Sequence, residues 1–168
     1  MKKHSAIFLI LIASLSFFSC GQKNTLKGTW NGSYIIRNGM EKPEKKGEIV
    51  LYMNLENKIE YKFGSNDFSK KITQNLSSLE KVGDFELPKS EEEIAKELHS
   101  ELTICGSYNT YGNSINFFAD TVILKDGTEM DFADYQMMNP SIGEDEYHED
   151  FELTDDTLTL GGIKFKKS

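Results

Sequence analysis

Leu26-Lys27-Gly28-Thr29-Trp30, running on into Asn31-Gly32-Ser33-Tyr34-Ile35-Ile36, is the stretch that decides the fold. Trp30, Gly32, Tyr34 and Ile36 share one face, and Thr29, Asn31, Ser33 and Arg37 the other, which is the two-residue period of a strand. The stretch reads as the opening of a closed β-barrel, and everything before it reads as export machinery. The chain beyond it is a succession of short strand-like runs joined by polar turns, returning at the C-terminus to close against the first.

Upstream, Lys2 and Lys3 form a positive region ahead of the apolar run Ala6 to Phe18, which is too short to cross a bilayer as a helix. Small Ser19 directly before Cys20 resembles the cleavage site of a bacterial lipoprotein signal peptide. The expected division is a signal peptide over 1–19, an acylated Cys20 with a polar tether to residue 25, and one domain over 26–168. By the same resemblance, Gly21 rather than Asp after the Cys implies the outer membrane of a Gram-negative bacterium. The lack of acidic residues in the tether implies a domain facing the periplasm, so the membrane is a partner through the lipid on Cys20.

Lys and Arg number 19 against 27 Asp and Glu, for a net charge of −8. Loss of Lys2 and Lys3 with the signal peptide moves this to about −10, which excludes nucleic acid and anionic head groups as favoured partners. A monomer is expected. With Cys20 acylated, Cys105 has no partner for a disulfide, and its setting in Leu102-Thr103-Ile104-Cys105-Gly106 predicts a small buried hydrophobe.

Downstream of the opening stretch, Asn38-Gly39 marks a turn and the charged Lys42 to Gly47, with Pro43, a loop. Ile49, Leu51, Met53 and Leu55 alternate, and Glu56-Asn57 is expected to turn this run into Ile59, Tyr61 and Phe63 as a hairpin. Between Gly64 and Pro88 the pattern changes. Ile72, Leu76 and Leu79 fall at spacings of four and three, which predicts a short amphipathic helix or an irregular cover. Ser90 with Glu93 makes a capping box followed by Ile94, Leu98 and Leu102, predicting a helix over about residues 91–100. That helix would act as a lid or as a plain cover.

The two-residue period then resumes. Ile104, Gly106 and Tyr108 lead through Asn109 to Asn113 into Ile115 and Phe117, and Val122 to Leu124 turns at Asp126-Gly127 into Met130 and Phe132. After the polar loop Asn139 to Asp145, Tyr147, Phe151 and Leu153 lead through Asp155-Asp156 into Leu158, Leu160, Ile163 and Phe165, with Gly161-Gly162 as a bulge or kink. The count is eight or nine strands in hairpin succession without βα alternation. That predicts an all-β, antiparallel up-and-down barrel with one inserted helix, a sandwich being the alternative.

Gly28-Thr29-Trp30 resembles the Gly-x-Trp signature that opens the first strand in lipocalins and the wider calycin group. The closing segment Asp156-Thr157-Leu158-Thr159-Leu160 to Phe165-Lys166-Lys167 is similar to the last strand of bacterial lipocalin-like lipoproteins, and the Gly106-Ser107-Tyr108 to Phe117 hairpin is similar to their middle. The resemblance spans roughly Leu26 to Lys167. It implies that Trp30 plugs the closed end, that Lys164 or Lys166 packs across its ring, and that the barrel carries a small apolar ligand.

An eight-stranded barrel either is filled by its side chains or holds one small ligand. The candidates to line or fill it are Tyr34, Met53, Tyr61 and Phe63 from the first half, with Tyr108, Phe117, Phe132 and Phe151 from the second. Met137-Met138 would be a flexible apolar rim or gap-filling core. No cofactor is expected. The acidic run Glu144 to Asp150 lacks the order of a calcium loop, and His99 and His148 fall on different elements, so no metal site is expected either. No Gly-x-Ser-x-Gly elbow, phosphate loop or Cys-x-x-Cys is present, and no residue set points to an enzyme. A filled barrel serving as a structural or protein-interaction module is the other functional reading.

Overall fold

The computed structural model describes residues 26–38 and 50–168. The expected signal peptide, Cys20, the expected tether, the Asn38-Gly39 turn and the 42–47 loop therefore lie wholly or partly outside the described residues. Nine strands are present: β1 Gly28–Asn38, β2 Val50–Phe63, β3 Asp67–Val82, β4 Ser100–Tyr111, β5 Ser114–Leu124, β6 Glu129–Asp131, β7 Glu146–Leu153, β8 Thr157–Leu160 and β9 Ile163–Lys167. Helix α1, Glu91–Leu98, precedes β4, and α2, Phe132–Met138, follows β6. Every pairing is antiparallel. Eight strands close in the order β1-β2-β3-β4-β5-β7-β8-β9 and back to β1, with β6 an extra strand on the upper part of β5.

β2 runs unbroken through Glu56-Asn57, so the hairpin expected there does not exist. The reason is phase. Leu55, Asn57, Ile59, Tyr61 and Phe63 are all buried on one face, an alternation that a two-residue turn would interrupt. Asn57 occupies its buried place because its Oδ1 accepts a hydrogen bond from Gln74 Nε2 at 3.2 Å.

The helix or cover expected between Gly64 and Pro88 is instead the 16-residue strand β3. Its register against β2 shifts by one residue, Leu55 facing Leu76 while Asn54 faces Ser78, which leaves Ser77 as a β-bulge. Ile72 and Leu76 share a face by simple alternation, and the bulge brings Leu79, opposite Met53, onto that face too. A strand with one extra residue thus reproduces the four-then-three spacing of a helix.

α1 has the predicted capping box, Ser90 Oγ accepting from Glu93 N at 3.2 Å and Glu93 Oε2 accepting from Ser90 N at 2.9 Å. It ends at Leu98, earlier than residue 100, because His99 is extended and Ser100 already pairs with Gln74. α1 packs on β3, where His99 Nδ1 lies 2.9 Å from Asn75 Oδ1, which makes it a cover on the barrel flank. Phe132 starts α2 instead of continuing β6, and its ring enters the core. Gly161 and Gly162, at φ 56° and 79°, form the two-residue turn of the β8–β9 hairpin, not a bulge.

The strands have unequal reach. β7, β8 and β9 are short and close the lower part, where Trp30 pairs with Lys167 and Asn31 with Lys166. Above Asn31 β1 pairs with β2 alone among the described residues, and above Gln74 β3 has no partner in β4. The upper part of β1-β2-β3 therefore stands beyond a closed lower barrel.

Candidate functional site

The lower end is sealed. Trp30 is fully buried, its indole Nε1 donates to the Leu26 carbonyl at 2.7 Å, and the Lys167 ammonium stands 5.1 Å from its ring. The cation is neither Lys164 nor Lys166. Phe165 points inward, so by alternation Lys167 shares its face, while Lys164 borders an outer groove and Lys166 donates to Thr157 Oγ1 at 2.9 Å. Gly28, two residues before the indole, has φ 123°, a conformation that a side chain would strain.

Above the plug the barrel is filled. Tyr61 stacks on Phe63 at 5.4 Å, Phe63 meets Tyr108 edge-on at 5.1 Å, and Phe117 packs on Phe68 and Tyr147, each at 4.9 Å. Tyr61, Phe63, Tyr108, Phe117, Phe132 and Phe151 are thus core and not the wall of a void. Of the other two candidates, Met53 is half-buried near the top, and Tyr34 is 38% exposed on the free part of β1. Met137 and Met138 are exposed, so they are not gap-filling core.

A layer that the sequence did not mark lies on top of this core. Lys70 follows Phe68 on the inward face of β3 and sends its ammonium across the interior, 5.3 Å from the Tyr61 ring and 5.6 Å from the Tyr147 ring of the opposite wall. It forms no hydrogen bond or ion pair among the described residues, and burial lowers its pKa against the pull of Glu149. Burial raises both tyrosines well above their ordinary value, and the Glu149 charge adds to this in each. The Tyr147 hydroxyl faces that of Tyr61 yet has no hydrogen-bond partner of good geometry.

At the upper rim, His99, Leu102, Leu124, Asp126 and Tyr135 border a groove of about 600 Å³. Leu102 pairs with Leu124 and with Ile72, so the floor of this groove belongs to the inward face. A second groove of about 610 Å³ lies on the outer face, lined by Asn31, Ser33, Lys58, Glu60, Lys71 and Lys164 together with Gly32 and Ile59. Among the described residues no three His, Cys, Asp or Glu side chains are grouped to hold a metal ion.

A closed eight-stranded antiparallel barrel of this build is compatible with a lipocalin-like, calycin fold. No protein-family model, curated protein or solved structure matches the chain.

Proposed function

We propose that this is a lipid-anchored envelope protein whose lipocalin-like barrel binds or carries a small apolar molecule at its upper mouth. The observation that carries the reading is the rim groove of about 600 Å³ floored by Leu102 and Leu124, a volume within the usual range of small-molecule sites. Tyr135 borders it, and the exposed Met137-Met138 pair that follows on the same helix would supply an adaptable apolar surface beside it. The Cys20 resemblance supports the anchor, and the Trp30 plug at the opposite end leaves a single mouth for entry. Organic extraction of the purified protein, followed by titration with a polarity-sensitive apolar dye, tests the carrier role. Saturable dye binding that Leu124→Arg abolishes is the expected result. No extracted molecule and no saturable signal would overturn it. Cys20→Ser should release the protein from the membrane fraction; retention there would remove the anchor.

The filled aromatic core favours a second reading, a structural or interaction module without ligand. Its surface would be the upper part of β1, where Tyr34, Ile35 and Ile36 are exposed beside backbone groups that have no second strand among the described residues.

A further inference from the structure

The upper part of the β1-β2-β3 sheet has two edges, and they are built differently. Along upper β3 the edge carries devices that keep strands from joining: the Ser77 bulge, the charged Glu80 and Lys81, and α1 packed against the strand. Upper β1 has none of these among the described residues. Its register against β2 is unbroken, it holds no acid, lysine or proline, and Ile35 is 63% exposed. Its one charge is drawn off the edge, for the Arg37 guanidinium lies 4.4 Å from the centre of the Tyr52 ring on β2 and 2.7 Å from the Glu80 carboxylate on β3. The direction of the backbone groups follows from the base. The Thr29 carbonyl accepts from Ser168 N on the β9 side, so by alternation Ser33, Ile35 and Arg37 direct their N–H and C=O groups to that side, where β9 ends its pairing at Asn31.

We propose that this edge pairs with the same edge of a second copy of the chain, antiparallel about a two-fold axis at Ile35. A symmetric antiparallel register must centre on a residue whose backbone groups face the free side, which leaves Ser33, Ile35 and Arg37. Centring on Ser33 would lay the second strand against Asn31, whose edge Lys166 already occupies, and centring on Arg37 sets like charges opposite one another. At Ile35 neither conflict arises. Ile35 then faces its own copy and Ser33 faces Arg37, while on the other face Tyr34 meets Ile36, an aromatic against a β-branched side chain. Charge favours the same surface, because the chain carries −8 overall and two copies repel least along a strand without an acid. The contact is one strand wide, below the roughly 1,200 Å² of a stable interface, so the dimer is weak and reversible. The two sealed bases point in opposite directions, so a copy anchored through its N-terminus pairs with one in solution or on a facing membrane, not with its neighbour. The proposal names the occupant for the interaction reading and does not depend on the carrier.

Sedimentation equilibrium of the purified protein from about 10 µM to about 500 µM should show a reversible monomer–dimer equilibrium. Ile35→Lys and Ile35→Glu each set like charges on the axis and should each stay monomeric, whereas an equimolar mixture of the two should dimerise again, because the axis then carries opposite charges. Far-UV circular dichroism should be unchanged in both, the side chain being exposed. Amide exchange in the parent protein reads the register without any variant. Ser33, Ile35 and Arg37 should become severalfold better protected as concentration rises, while Tyr34 and Ile36, already bonded to β2, should not change. A parent protein that stays monomeric throughout overturns the self-pairing and leaves the interaction reading to a strand of another protein. Dimers that survive Ile35→Lys, or variants that stay monomeric when mixed, overturn it as well.

Discussion

The Tyr147 hydroxyl is buried beside Tyr61 with no partner of good geometry, so in the ligand-free protein it has been stripped of water with little in return. Tyr147→Phe keeps the stacking on Phe117 and removes the unsatisfied group. It should stabilise the protein by about 1 kcal/mol, read as a higher denaturant midpoint. The reverse holds at the plug. Lys167→Ala removes the cation over Trp30 and should cost about 0.5 to 1 kcal/mol, whereas Lys164→Ala and Lys166→Ala should each stay within about 0.5 kcal/mol. Equal losses for the three would mean that the indole contact contributes nothing. Cys105 is half-buried on β4, and burial with the nearby Glu129 charge raises its pKa. Its alkylation by iodoacetamide at pH 7 should be slower than in the unfolded chain, where the thiol is free of both effects.

At the level of elements, the bulge in β3 makes an unusual prediction. Ser77 is the extra residue, so deleting it joins Leu76 to Ser78 in the register that the flanking pairs already have. The deletion should change stability by less than about 1 kcal/mol, whereas deleting Thr73 should cost several, because it turns Gln74 and Leu76 from the inward to the outward face. The same bulge explains what was legible in the chain. The alternating runs, the capped helix and the Asp126-Gly127 hairpin arise from local period and turn chemistry, which residues a few positions apart specify, whereas the expected count of eight or nine strands agrees only because splitting β2 and β5 offsets the omission of β3. β3 was hidden because one unpaired residue imitates helical spacing, and β2 was cut in two because Glu56-Asn57 looks like a turn unless its phase is followed across. α2 was missed because Phe132-Ala133-Asp134-Tyr135-Gln136-Met137-Met138 spans only two turns and its Phe132 continues the phase of Met130. Lys70 could be assigned inward only once the 64–88 segment was known to be a strand, for then Phe68, Lys70 and Ile72 alternate together. That Tyr147 and Glu149 meet it depends on closure by β7, which no short stretch encodes.

Taken whole, the molecule is a barrel sealed and filled at one end, with its uncompensated polar groups collected at mid-height. That arrangement ties its stability to alkaline pH. Tyr61 and Tyr147 are held neutral in the folded state well above their ordinary value near 10, so the unfolded chain gives up these protons first. Their contribution is fully present below about pH 10 and is lost as pH rises beyond it, by about 1.4 kcal/mol per pH unit for each tyrosine. Lys70 acts in the opposite direction and at lower pH. Its folded value is lowered, so between that value and about 10.4 the unfolded chain holds the extra proton, and stability rises with pH. The groups facing it are Tyr61 from β2 and Tyr147 and Glu149 from β7, and among the described residues no other charged residue acts on its titration. Unfolding free energies measured by denaturant from pH 8 to 11.5 should therefore climb relative to those of Lys70→Met up to about pH 10, the opposing effect of the raised Cys105 pKa being common to both, and should fall steeply past pH 10. Lys70→Met should keep the fall, and Tyr61→Phe should keep the climb and make the fall shallower, with Tyr147 and the likewise raised Tyr108 carrying the rest. A profile that is flat in the parent protein, or unchanged in both variants, would show that the inward layer is solvated like a surface and that the barrel is open at its middle.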